Sequence, residues 1–319
     1  MNIEKVIYNW KYIFDGTGFD IIPNEKIDKP EFLYKLYGLN QNSFDSLINQ
    51  YIYATHPSQL NDVFDCNEEL LDLDDIEAIK TALSDIMSDE EIEDLIKHDF
   101  EGTKTFVQRF FRELTYRKWG VFSMTTNPNN VLMWSYYCNH NGFCIEFDIS
   151  KFPFKYYGPF PVNYQPIIEP LSIKQFGVQI GILAQSNLKD EIWKHENEWR
   201  LLIASPDNED MLSPNFEKLR RLGGHNRKFN YPLEAIKSIA LGNRFFDPDE
   251  ILEIDDMTLE INLKTNFEQK TIMLDFLATN KIETLIGLRA GFTELVFRPS
   301  VIERINYKKY RVNAKANAY

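Results

Sequence analysis

The sequence predicts an α+β fold, and three observations predict it. Short apolar or alternating segments such as "GVFSMTT" (120–126), "GFCIEFDI" (142–149) and "EWRLLIAS" (198–205) read as strands. Longer segments with apolar residues three and four apart read as amphipathic helices. The two kinds do not alternate as regular βαβ units, so a doubly wound parallel sheet is not what the pattern asks for.

Taken in order, residues 1–29 read as an N-terminal helical extension ending in a loop with "DGTGFD" and "PNEKIDKP". "EFLYKLYGL" is a short strand entering a turn, "QNSFDSLINQY" a compact helix capped by Asn or Ser, and "YIYATHP" a strand stopped at Pro57. An acidic helical insertion, 67–118, follows. Ile76, Ile79, Leu83 and Ile86, then Ile92, Leu95 and Ile96, have helical spacing, with Ser88 capping the second helix. "GTKTFVQRFFRELTYRKW" continues as a third helix with Phe106, Phe110 and Leu114 on one face. "NPNNVLMWSYYCNHN" has the length of two helical turns, "PFPVNYQP" reads as a strand, and "IKQFGVQIGILAQSNL" as a helix despite its glycines. After the strand "IKSIALG", the tail holds a helix, "FEQKTIMLDFLATNK", and a hairpin or strand pair in "LIGLRAGFTELVFRP". The core is expected to span 30–245, with 246–319 packed on it as an extension.

The 44% hydrophobic and 14% aromatic content supports a real core. No apolar run approaches a membrane span and no signal-peptide pattern opens the chain, so a cytoplasmic protein without membrane contact is expected. Cys66, Cys138 and Cys144 have no metal-like spacing and suit reduced thiols. The net charge of −13 is concentrated: between Asp62 and Glu101 stand sixteen acidic residues against Lys80 and Lys97. Such a surface disfavours non-specific nucleic-acid binding. It suits either a solvated helix face or a docking surface for a cationic partner, such as an antitoxin.

Phosphate-cradling glycine loops, HExxH and GxSxG are all absent. The segment "WKHENEWRLL" (193–202) instead places Glu196 and Glu198 two residues apart beside Arg200. On an extended chain they share a face, and they repel unless a positive group lies between them or one is protonated. Asp62 and Asp65 with these glutamates could serve a metal-dependent nuclease or hydrolase. Asn61, Asp62, Ser123, Trp134, Tyr137 and Arg200 mix polar groups with buried-type aromatics across four segments. They read either as a polar network pinning loops or as the lining of one pocket.

Those segments are "LYKL" at 33, "NDVFDC" at 61, "LMWSYYCNHNGFCIEFD" at 132 and "WKHENEWR" at 193. In this order they resemble a bacterial family catalogued as domain of unknown function 2971. The departures are Val63 in place of proline and Tyr136 in place of a frequent histidine. The resemblance covers roughly 30–245 and implies no activity.

A looser resemblance is to ADP-ribosyltransferases, whose split mixed sheet, here with inserted and flanking helices, carries its chemistry on three strands. It implies Tyr34 and Lys35 on the first strand, Ser123 and Thr125 on a later one with Tyr53 as a rival, and Glu196 and Glu198 on the third. No Arg or His stands at the first position. The implied activity is transfer of ADP-ribose from NAD, as co-substrate and without a metal, to a macromolecular acceptor, protein or nucleic acid. Bacterial toxins, toxin–antitoxin pairs and antiphage effectors use such chemistry. Glu198 would then stabilise the oxocarbenium-like transition state and hold the ribose, while Glu196 would orient the acceptor. Trp134 and Tyr137 would stack on a ring, Arg200 or Lys35 would neutralise the pyrophosphate, and Tyr53, Asn61 and Asp62 would complete the cofactor pocket. The alternative is a non-enzymatic protein that recognises a nucleotide-like ligand.

Overall fold

The computed structural model describes residues 2–205, 211, 226–255, 257–290 and 294–314. It is α+β, with a large mixed sheet and several helices. Two compact units make it up, each from three stretches of chain. The first comprises Met1–Lys29, Tyr53–Ser123 and Lys155–Lys228; the second comprises Pro30–Ile52, Met124–Phe154 and Phe229–Tyr319. Of the expected extension 246–319, residues 256, 291–293 and 315–319 lie outside the described residues.

The first unit corrects the expected N-terminal helix. Ile3–Ile7, Trp10–Phe14 and Phe19–Ile22 form an antiparallel three-stranded meander. Aromatic and β-branched residues dominate these segments, and Tyr8 and Asn9 both take positive φ (47° and 64°). Two such residues between strands suit a tight hairpin whose twist matches its arms. Ile7, Tyr12 and Ile21 point inward and are buried with Val121, Phe160, Leu183 and Leu202. Strand Glu198–Ala204 pairs antiparallel with Tyr156–Pro161, with a register shift between Arg200 and Leu202.

The acidic helices form at Ile76–Leu83, Asp89–His98 with a full capping box at Ser88, and Phe100–Lys118, but the first ends before Ile86, which is exposed. They are not a free flap within this unit. Ile79, Leu83, Ile92, Val107 and Phe111 share one core with Leu71 and Ile173. On the last helix Val107 and Phe111 are buried while Phe106 is exposed, so the inward face lies one position beyond the aromatic stripe read from the sequence. The expected helix at 173–188 is broken at Gly177 (φ 77°) into Ile173–Phe176 and Val178–Gln185.

In the second unit the strands run in the order Ile251–Asp255, Thr258–Asn262, Lys309–Ala314, Glu294–Asn306, Glu283–Ala290, Ile236–Leu241, Phe143–Phe147 and Leu33–Tyr37. Only the Ile236–Leu241/Glu283–Ala290 pairing is parallel among those described. A parallel pair needs a crossover, and helix Phe267–Asn280 lies on that connection. The expected helices Gln41–Ile48, capped by Asn40, and Val131–Cys138 are present. Three strands, Ile251–Asp255, Thr258–Asn262 and Lys309–Ala314, were not expected from the sequence.

Gly142 joins helix Val131–Cys138 to strand Phe143–Phe147, where an added Cβ would collide with the Tyr37 carbonyl and the Cys138 side chain. Gly142→Ala should therefore cost about 1–3 kcal/mol, the usual range for overpacking. A shift in the urea midpoint checks it, and an unchanged midpoint would mean that the loop yields freely.

Candidate functional site

The two glutamates meet a positive group, and it is Lys189. Its ammonium donates to Glu196 Oε2 at 2.7 Å and to Glu198 Oε2 at 2.9 Å. Strand Leu188–Asp190 holds it there, paired in parallel with Asn163–Gln165. The geometry differs from the shared face of an extended segment. Glu196 ends the 3-10 helix Glu191–Glu196, Asn197 takes a left-handed conformation (φ 43°), and Glu198 opens the strand. Asn tolerates that conformation better than most residues, and the turn brings both carboxylates to one ammonium.

Arg200 extends the network. Nε donates to Glu198 Oε1 at 2.8 Å, the two terminal nitrogens hold Asp65 at 2.7 and 2.5 Å, and Nη1 also reaches the Ser186 carbonyl at 2.8 Å. Gln185 donates to the Cys66 carbonyl at 2.7 Å and pins the Asp65 loop from its other side. Every member is buried: Glu198 is 5% exposed and Arg200 is 1%. Burial opposes ionisation of Glu198, but the charges of Arg200 and Lys189, with hydrogen bonds from Arg200 and Ser123, hold its carboxyl well below the usual range. Burial also works against the Lys189 ammonium, yet Glu198 and Glu196 keep its pKa raised.

This arrangement corrects several expectations. Arg200 is committed to Asp65 and Glu198, so its guanidinium does not face a pyrophosphate. The cations stand where a metal joining Asp65 to the glutamates would sit, and Asp62 turns aside to accept from the Phe64 N–H at 3.0 Å. Among the described residues no group of three or more His, Cys, Asp or Glu side chains is placed so as to hold a metal ion. Ser123 hydrogen-bonds the Glu198 carboxylate. Tyr53 is half-buried at the end of strand Tyr51–Tyr53, and Asn61 is exposed just before Asp62.

The remaining candidates lie in the second unit. Tyr34 pairs with Thr125 across adjacent strands, but its hydroxyl donates to Glu146 at 2.8 Å. Thr125 is buried and accepts from the Asn127 N–H at 2.9 Å. Trp134 cannot serve as a stacking face: it is fully buried against Phe297, with its indole N–H on the Pro128 carbonyl at 2.6 Å. Tyr137, on the same helix, is 37% exposed, and Lys35 is half-buried.

Sequence reading missed Lys189, and it missed a cleft of about 450 Å³ in the second unit lined by Val131, His140, Asn243, Arg244, Arg289 and Leu295, with Glu294 at its edge. Asn243 and Arg244 follow the parallel strand Ile236–Leu241, and Arg289 stands near the end of its partner Glu283–Ala290. Backbone bonds lace this loop to the residues after helix Val131–Cys138: Gly242 N–H to Gly142 O and Arg244 N–H to His140 O, both 2.9 Å. Gly242 permits this approach, since a Cβ there would strike the His140 carbonyl. Neither guanidinium has an ion-pair partner among the described residues. Asn243 Oδ1 is shielded from solvent and accepts no hydrogen bond among them. Burial, then the Arg244 charge, lowers the His140 pKa, so this imidazole is neutral at neutral pH. The only signal in the sequence was polar residues directly after an apolar strand, "ALGNR".

No family model matches the chain, no curated protein matches it, and no solved structure does.

The ion network yields a prediction with a defined sign. Because the Glu198 carboxyl is depressed in the folded state, its contribution is present above the ordinary carboxylate pKa of about 4.3 and is lost as pH falls below it. Lys189→Met removes the shared cation from buried carboxylates and should cost about 3–5 kcal/mol at pH 7. The deficit should shrink on acidification, because Glu198 without the ammonium that holds it ionised can take up a proton. Urea unfolding at pH 7 and pH 4 checks this; a deficit independent of pH would contradict it.

Proposed function

We propose that this chain binds a phosphorylated, nucleotide-like ligand without chemically transforming it, in the cleft formed by Asn243, Arg244 and Arg289. The observation that carries this reading is the unspent charge. Two guanidiniums without ion-pair partners among the described residues line it with one carboxylate, Glu294, in a protein whose net charge is −13. Arg suits phosphate because its planar fork donates two hydrogen bonds to an oxyanion. Asn243 in the lining carries a side-chain oxygen with no hydrogen-bond partner among the described residues, and Val131 and Leu295 offer an apolar floor. The position, beyond the carboxyl ends of parallel strands, is where open α/β sheets commonly take ligands. The glutamates, by contrast, are buried and neutralised, which favours a structural role for them.

ADP is the probe. It should bind more tightly than AMP, and AMP more tightly than adenosine, because the phosphates supply the contact. The double variant Arg244→Gln/Arg289→Gln should weaken ADP binding by about 100-fold or more, two charge-assisted contacts being lost. Calorimetric titration measures both effects. Adenosine binding as well as ADP, or a double variant binding like the parent, would end this reading.

One observation favours the transferase reading with its split sheet, NAD co-substrate and macromolecular acceptor: the hydrogen bond between Ser123 and Glu198. Catalysis would require Glu198 to exchange Lys189 and Arg200 for a ribose. Under that reading the purified protein consumes labelled NAD, and Glu198→Gln lowers the rate by about 100-fold or more while circular dichroism stays unchanged. An absence of NAD turnover by the parent protein removes it.

A further inference from the structure

The C-terminal strands carry a second, chemically different site. Helix Phe267–Asn280 covers one end of their face. There Tyr310 and Arg304, directly paired, both bind Asp275 of the helix, at 2.9 and 2.6 Å. Side chains alternate along a strand, so the same face continues past the helix in steps of two residues. From Tyr310 it passes to Val312 and Ala314, and from Arg304 to Ile302, Ser300 and Arg298. Leu259 is the cross-strand partner of Val312, and Ile286 that of Arg298. Beyond the helix a trough of about 590 Å³ runs along it, although Val312, Ser300 and Ile286 are themselves buried.

Its lining is largely apolar, with Glu253 beside its cross-strand partner Leu259 and Arg298 at the far end. Val312 and Leu259 lie toward the helix, Met257 stands beside Ala314, and Ile286 and Leu288 lie toward Arg298. Arg298 is half-buried and has no ion-pair partner among the described residues. The carboxylates that also line the trough, Glu253 and Asp255, stand on the outermost strand and are exposed to solvent. From the Tyr310–Arg304 row to Arg298 is six residues, or roughly 20 Å of strand. A partly desolvated guanidinium beside apolar surface asks for an anion that brings its own apolar body.

We propose that this trough binds an unbranched alkyl carboxylate of medium chain length. The carboxylate forks onto Arg298, and the chain lies along Ile286, Val312 and Leu259 toward the end of the helix. The site is separate from the nucleotide-like cleft. Leu295 lines that cleft, and odd-numbered Leu295 and Phe297 project from their strand on the side opposite Arg298 and Ser300.

The test is calorimetric titration of the full chain with decanoate, decanol and decyltrimethylammonium, each below the concentration at which it self-associates. Decanoate should bind saturably and at least tenfold more tightly than the other two. Arg298→Gln should weaken decanoate about tenfold or more and leave decanol within threefold, the size expected for one lost hydrogen bond to a charged group. Met257→Glu, at a 40% exposed position, should weaken decanoate and decanol together by filling the trough with charge. ADP binding measured on Arg298→Gln keeps the two sites distinct, since it should match that of the parent protein. Failure of decanoate to saturate, equal binding of the cationic amphiphile, or an Arg298→Gln variant that binds decanoate like the parent would each overturn the proposal.

Discussion

Five charged side chains packed out of reach of water constrain everything around them in the first unit. A lone carboxylate or ammonium in such a place costs several kcal/mol, and attraction offsets that cost only when geometry and hydrogen bonding are nearly complete. Asp65, Lys189, Glu196, Glu198 and Arg200 come from a surface loop, a short strand, a 3-10 helix and a long strand. None of these segments can take its place unless the others have taken theirs. The left-handed Asn197 is a local consequence, because both flanking carboxylates must reach one ammonium. The Tyr12–Asn187–Asn163 hydrogen bonds then tie the N-terminal meander to the strands beside Lys189.

Much of this was legible in the sequence as a requirement rather than as a geometry. Two glutamates before an apolar run demanded a positive partner, but nothing in "SNLKDEIW" distinguished Lys189 from an ordinary surface lysine. A partner supplied by another strand is a tertiary fact. The N-terminal strands were misread because "NIEKVIYNWKYIF" carries both periods, and the Tyr8-Asn9 turn chemistry that separates them was overlooked. "TLEIN" alternates cleanly and carries a strand period, while "ILEID", whose first two residues are both apolar, does not. Trp134 was misplaced for a different reason. Exposed and buried tryptophans look alike in sequence, and only Phe297, far along the chain, decides between them.

The same reasoning separates structural from receptive charge. Arg200 has used its donors on Asp65, Glu198 and Ser186, whereas Arg244, Arg289 and Arg298 retain theirs. A strong pKa perturbation therefore marks the more structural site here, at Glu198 and Arg200. That inverts a common guide to function, and the reason is physical. Perturbation measures interactions already made, while ligand binding needs interactions still to be made.

Each compact unit is assembled from three stretches of chain separated by stretches of the other. During synthesis, the first unit lacks its last segment until residue 228 has emerged, and the strands of the second unit end only at Ala314. At ordinary elongation rates of about 5–20 residues per second, the last strands follow the completion of the first unit by roughly 4–20 seconds. For that interval the nascent protein holds one finished unit while the other, with two of its three stretches made, waits for its longest. Neither unit can be excised by a single cut, and a ribosome that stalls late in this message leaves a chain that chaperones must shield.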